Sequence, residues 1–257
     1  MDIQPLYNLQ FDRLPVSVYH SKQELGQAAA KESVGIIDQA IRAKGEANII
    51  IATGNSQLTF LAALRTTEID WSKVNIFHMD EYVGIDSNHP ASFPVFLQKY
   101  LISYIHPLGF FSVQTQTDDL EGVCREYEAL LRKYPADLCA IGIGENGHLA
   151  FNDPPYADFN DPAWVKVVKL DEVSRQQQVG EGHFASLKDV PTHAITLTIP
   201  ALLAAKRVLA IVPEARKIDA VYRTLYGPIS EECPSSILRK TPHAHLFLDA
   251  DSAKRIQ

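Results

Sequence analysis

Apolar positions change their period along the chain. Between Ser21 and Gly45 they recur at helical spacing (Leu25, Ala28, Ala29, Ile36, Ile37, Ala40, Ile41), and Ser21 with Glu24 three residues later forms a capping box. That pattern predicts one long amphipathic helix. Beyond it come short, mostly apolar runs at 48–52, 74–77, 138–143 and 208–212, continuous rather than alternating. A strand with one face in water alternates, whereas a continuous run belongs to a strand covered on both faces, as in a parallel sheet. Helical stretches at 57–65, 92–104, 121–133 and 215–225 separate these runs, and further strands are expected at 14–19, 194–197 and 244–248. Alternation of this kind predicts an α/β fold: a doubly wound, mostly parallel sheet with helices on both faces, a Rossmann-like three-layer arrangement joined by right-handed crossovers. The Pro-rich stretch 152–162 reads as a loop. No repeat, low-complexity tract or linker divides the chain, so residues 1–257 are expected to form one domain.

Composition narrows the partners. The chain carries 24 Lys and Arg against 31 Asp and Glu, a formal charge of −7, with no basic run. Nucleic acid and an anionic membrane surface are therefore not expected partners, and an anionic small molecule would need a local positive pocket. Cys124, Cys139 and Cys233 are odd in number and widely spaced, with no CxxC, which argues against a disulfide framework or a zinc cluster and for a reducing compartment. The N-terminus lacks the build of a signal peptide and no apolar run reaches the length of a membrane span, so the cytoplasm is the expected location. His243 and His245 share one face of an expected strand, a spacing metal sites use, but no third ligand and no HExxH accompany them; no metal is expected. A homo-oligomer stays open.

In an open α/β sheet, ligands bind beyond the carboxyl ends of the strands. Four polar clusters stand there. Thr53-Gly54-Asn55-Ser56 follows the 48–52 run and precedes a helix, so backbone N–H groups and two hydroxyls meet a helix N-terminus: a phosphate cradle, or an ordinary capped turn. Asp80 and Glu81 follow the 74–77 run. Adjacent side chains on a strand diverge, so one of them is expected to face the crevice as a general base, the alternative being a cap or surface ion pair. Gly142-Ile143-Gly144-Glu145-Asn146-Gly147-His148 spells GxGxxG, but it lies mid-chain and Pro154 and Pro155 would interrupt the helix a dinucleotide fingerprint opens; His148 stands where a P-loop needs Lys. What remains is a glycine loop carrying one imidazole, with Asn146 and Asp153 near enough to orient it, a proton-transfer pair or a hydrogen-bonded core histidine. Finally, Arg216 and Lys217 occupy the first turn of a helix, against its dipole, a placement that a bound anion would explain.

These segments, Thr53 to Ser56, Met79-Asp80-Glu81-Tyr82-Val83-Gly84 with His89-Pro90-Ala91-Ser92-Phe93, and Gly142 through Pro154, together resemble the glucosamine-6-phosphate deaminase family, with order and spacing that fit from about residue 20 to 250. The related 6-phosphogluconolactonases share the fold but differ in the second and third segments. The resemblance implies an aldose–ketose isomerisation of an amino sugar phosphate, giving fructose 6-phosphate and ammonia with no metal or organic cofactor. By that likeness Asp80 moves a proton from C2 to C1, His148 opens the pyranose ring with Asp153 as its acidic partner, and Ser56, the neighbouring N–H groups and Lys217 hold the phosphate.

The chain also departs from the pattern. Asn146 stands where many relatives have Asp, and Asp153 where they have Glu. Gln57 replaces a usual Pro. Gln178 aligns with a phosphate-binding Arg, a role that Arg175, three residues earlier and on the same helical face, would take over. Two other readings compete: a phosphosugar lactonase, which needs His148 but has less use for Asp80, and a non-catalytic sugar-phosphate sensor.

Overall fold

A computed structural model describes residues 3–154 and 156–256. The reading of the N-terminus falls partly on Met1 and Asp2, and the 152–162 loop includes Pro155; these three residues lie outside the described ones. The chain order is β1 (Tyr7–Phe11), β2 (Leu14–Tyr19), α1 (Lys22–Lys44), β3 (Ala47–Ile51), α2 (Leu58–Leu64), β4 (Val74–His78), β5 (Asp80–Tyr82), α3 (Phe93–Tyr100), β6 (Gly109–Phe111), α4 (Leu120–Lys133) and β7 (Leu138–Ile141). It continues with β8 (Val165–Lys169), α5 (Glu172–Gly180), β9 (His193–Leu197), α6 (Ile199–Leu203), β10 (Arg207–Val212), α7 (Ile218–Tyr226) and β11 (Ala244–Asp249).

Eight strands form one sheet in the order β1-β2-β11-β10-β7-β3-β4-β6, parallel except where β1 pairs with β2. The apolar runs now have their cause. Ile50, Val208, Ala210 and Val212 point into a core shared with Tyr127 and Leu131 of α4 and Val221 and Leu225 of α7. Their neighbours Ile49, Ile51, Leu209 and Ile211 point the other way, against Leu25, Ala29 and Ile37 of α1 and Phe60, Leu61 and Leu64 of α2. A polar residue at any of these positions would be buried on whichever face it took. Gly26 lets the two helices meet, since a Cβ there would lie 2.7 Å from the Thr59 carbonyl carbon.

The expected strand at 194–197 belongs elsewhere. As β9 it lies between β5 and β8 in a separate antiparallel sheet of three strands. From β3 the chain moves through β4 to β6 towards one edge, and after β7 it moves through β10 to β11 towards the other. The order therefore reverses between β3 and β7, where the carboxyl ends of parallel strands leave a crevice open to a ligand.

Candidate active site

Two strand-to-helix turns of the same shape frame this crevice. After β3, Gly54 adopts φ 98° and ψ 163°, a conformation that side-chain-bearing residues rarely take, and residues 55–57 form a single 3₁₀ turn leading into α2. After β10, Glu214 takes nearly the same values, φ 84° and ψ 144°, ahead of a 3₁₀ turn at 215–217 and α7. Glu214 is held there by its own N–H, which donates to both carboxylate oxygens of Asp249 at 3.1 and 3.2 Å. Gln57 ties the turns together: its Nε2 donates to the Ser56 hydroxyl and to the Ile211 carbonyl at the end of β10, both at 3.1 Å.

Thr53, Gly54 and Ser56 of the first turn and Lys217 of the second line one cavity. Lys217 is buried, and burial together with the adjacent Arg216 guanidinium pulls its ammonium down to about 8. Arg216 itself is engaged elsewhere, donating to Glu181 at 2.5 Å and to Glu214 at 2.9 Å. Its position in the first helical turn is thus matched by protein carboxylates, and only Lys217 of the expected cation pair faces the cavity. Asn55 does not line it; its side-chain amide donates to the Glu181 carbonyl at 3.4 Å.

The carboxylates after β4 diverge as a strand requires. Asp80 faces the cavity, whereas Glu81 turns behind it and accepts from the Ser92 hydroxyl at 2.6 Å, the Tyr82 N–H at 2.8 Å and the Phe93 N–H at 3.1 Å, tying down the start of α3. Burial pushes Glu81 up to about 7 against those hydrogen bonds. Burial, with Glu81 alongside, raises the Asp80 carboxyl well above the usual carboxylate range. Beneath Asp80, His78 Nε2 accepts from the Val113 N–H at 3.0 Å, so Nδ1 donates to the Asp80 carbonyl at 2.9 Å. Burial draws this imidazole down to about 4, which fixes it as a neutral strut.

The small sheet joins Asp80 to the glycine loop. Thr196 of β9 pairs with Asp80 and accepts from the Phe151 N–H at 3.1 Å, while Asn152 donates to the Leu197 carbonyl at 2.8 Å. Gly144 leaves room for the His148 ring, which a Cβ would overlap. His148 Nδ1 lies 2.7 Å from Asn146 Oδ1 and 3.0 Å from Asp153 Oδ1, and Asn146 Nδ2 donates to the same Asp153 oxygen at 2.9 Å. With acceptors on that side, Nδ1 carries the proton. Burial alone would raise Asp153, but the imidazole and the hydrogen bonds from His148, Asn146 and Ser174 outweigh it and hold the carboxyl at about 2. His148 lines the cavity; Asn146 and Asp153 stand behind it.

Gln177, Gln178, Glu181 and His183 close the remaining wall. Gln178 does so in its own right. Arg175, expected to take over a phosphate-binding role, does not line the cavity: its guanidinium donates to the carbonyls of Leu187 at 2.6 Å and Val190 at 2.8 Å. Ser174, which no sequence reading singled out, donates to Asp153 Oδ1 at 2.5 Å. The remaining candidates lie outside. His245 sits between Ser17 and Glu32, each at 2.9 Å, His243 faces the Leu203 carbonyl, and Cys233 is buried against Gly147.

An open α/β sheet with a carboxylate, an imidazole and a buried lysine lining one cavity at its switch point defines a small-molecule enzyme of the doubly wound class. More narrowly, the chain belongs to the family described as glucosamine-6-phosphate isomerases/6-phosphogluconolactonase, whose model matches residues 20–247. It is 34% identical over 237 residues to a glucosamine-6-phosphate deaminase of Bacillus cereus strain B4264, covering 92% of this chain and 87% of that one. A counterpart in Bacillus thuringiensis strain Al Hakam is 33% identical over the same shares. Among solved structures, a monomeric glucosamine-6-phosphate deaminase superposes with a TM-score of 0.86 at 30% identity, over 93% of this chain and 98% of that one. A 6-phosphogluconolactonase from Shewanella baltica OS155 shares the fold, with a TM-score of 0.75 at 18% identity, over 91% and 97%. No helix among the described residues is long and apolar enough to cross a membrane.

Proposed function

We propose that this chain converts glucosamine 6-phosphate and water to fructose 6-phosphate and ammonia. The observation that carries the reading is that Asp80 and His148 line one cavity with Thr53, Gly54, Ser56 and Lys217, in a chain of this family. The reaction needs an anchor, a ring-opening acid–base group and a base beside C2, and each has a candidate. Ser56, the turn around Gly54 and Lys217 hold the phosphate end. His148, its Nδ1 held by Asn146 and Asp153, has Nε2 left to exchange a proton with the ring oxygen or the C1 hydroxyl. Asp80 takes the proton from C2 and returns it to C1, giving the ketose imine that water hydrolyses to release ammonia. Binding energy from the phosphate end fixes C1 and C2 against Asp80.

Burial supports the role of Asp80, because a carboxylate whose charged form is destabilised is a stronger base. Glu81 supports it from behind. All three cysteines are free and buried, which favours work in a reducing compartment such as the cytoplasm. The test is ammonia release coupled to fructose 6-phosphate detection, run beside 6-phosphogluconolactone hydrolysis. Stoichiometric ammonia and ketose are expected; lactone hydrolysis that survives Asp80→Asn would favour the lactonase reading, and binding without any turnover the sensor.

A further inference from the structure

Helix α5 faces the cavity with a polar stripe. Ser174, Gln177, Gln178 and Glu181 follow one another at i, i+3, i+4 and i+7, the spacing of a single helical face. At one end of the stripe, Ser174 is 2% exposed, with its Oγ 2.5 Å from Asp153 Oδ1 and 3.2 Å from His148 Nδ1. At the other, Gln178 and Glu181 line the cavity beside Lys217, and Glu181 accepts from Gln177 at 2.7 Å and from Arg216 at 2.5 Å. One rigid element therefore touches both the proton-transfer pair and the turn that carries the cation.

The hydrogen bonds of Asp153 give Ser174 its leverage. Asn146, His148 and Ser174 all converge on Oδ1, while Oδ2 is buried with no hydrogen-bond partner among the described residues. Asn146 and His148 belong to the same loop as Asp153 and move with it. Ser174 alone comes from another element. We infer that Ser174 is a positioning residue for proton transfer at His148: its hydroxyl fixes the orientation of the Asp153 carboxylate, so that His148 is held in line only when α5 is seated across the cavity. This rests on reading His148 and Asp153 as the proton-transfer pair of the proposed reaction. Ser174 touches no reacting atom and acts through Asp153.

Three variants test it. Ser174→Ala removes a hydrogen bond to a buried charged group and should lower kcat roughly tenfold or more while KM stays within about twofold, and Ser174→Thr, which keeps the hydroxyl, should recover most of it. Because the freed carboxylate can turn away from the ring, the Nδ1–H proton resonance of His148, followed by NMR on the substrate-free protein, should move or broaden in Ser174→Ala and return in Ser174→Thr. In an Asp153→Asn background, Ser174→Ala should add little further loss. Equal losses in Ala and Thr, an unmoved Nδ1–H resonance, or additive losses in the double variant would each overturn the inference. The NMR measurement needs no substrate, so inactivity of the wild-type protein towards glucosamine 6-phosphate would sink the functional reading while leaving this one measurable.

Discussion

Gly144 lies against the face of His148, so close that a methyl group on its Cα would occupy the imidazole ring. The third glycine-loop position is thus a spacing device for the side chain four residues on. Gly144→Ala must push the ring out of line with Asn146 and Asp153. We expect activity to fall at least a hundredfold, in line with losing a general acid–base group, with little change in far-UV circular dichroism. Full activity in this variant would show that the ring position does not matter.

Asp80 supplies a prediction of opposite sign for stability and catalysis. Its folded-state pKa is raised, so protonation favours the native protein: that contribution is complete below the unfolded value of 3.8 and is lost as pH rises through the folded value. Asp80→Asn should therefore raise Tm at pH 7, with the advantage shrinking towards pH 4, while deaminase activity drops about a thousandfold. A lower Tm at pH 7 would contradict the burial argument.

Lys217 is held down to about 8, and in the proposed reading its charged form grips the substrate phosphate. Binding should be strong below that pH and weaken above it. Fructose 6-phosphate is the cleaner probe, since it has no amine of its own to titrate. Its Kd, measured by calorimetry, should begin to rise near pH 8, and Lys217→Met should weaken binding about a hundredfold at pH 7 and remove most of that rise.

Asn146→Asp would set a second carboxylate where an amide now donates to Asp153 at 2.9 Å. The variant trades a hydrogen bond to a buried carboxylate for a like charge facing it, so denaturant unfolding at pH 7 should show a loss of roughly 1 kcal/mol or more. Unchanged stability would mean that the Asn146 amide does not hold Asp153 in place.

The central strands were legible because parallel strands buried on both faces are mostly apolar, and 48–52, 74–77 and 208–212 stand out for that reason, the buried Asn48 and Asn75 being paired with each other at 2.9 Å. β5, β6 and β8 were not. β5 and β6 have three residues each, too few to show a period, and β8 reads Val-Lys-Val-Val-Lys between a Pro-rich loop and a capped helix. Within the cavity, residues on the turns after β3, β4, β7 and β10 could be found from their place after apolar runs. Arg175 shows where that reasoning fails: helical spacing put it near Gln178, but the carbonyls of Leu187 and Val190 claim its guanidinium, and nothing local encodes a partner twelve residues on. Ser174 escaped for a related reason, since a serine in a first helical turn looks like any other until Asp153 is placed beside it. Its only trace was the spacing it shares with Gln177, Gln178 and Glu181.

The claim that Asp80 carries hydrogen between C2 and C1 is tested most directly with glucosamine 6-phosphate deuterated at C2. With wild-type protein the label should leave C2, part of it reaching C1 of the ketose and the rest the solvent, as followed by NMR. Asp80→Asn, saturated with the same sugar, should leave the label in place. Label leaving C2 at the wild-type rate in that variant would contradict the account, because some other group would then be the base.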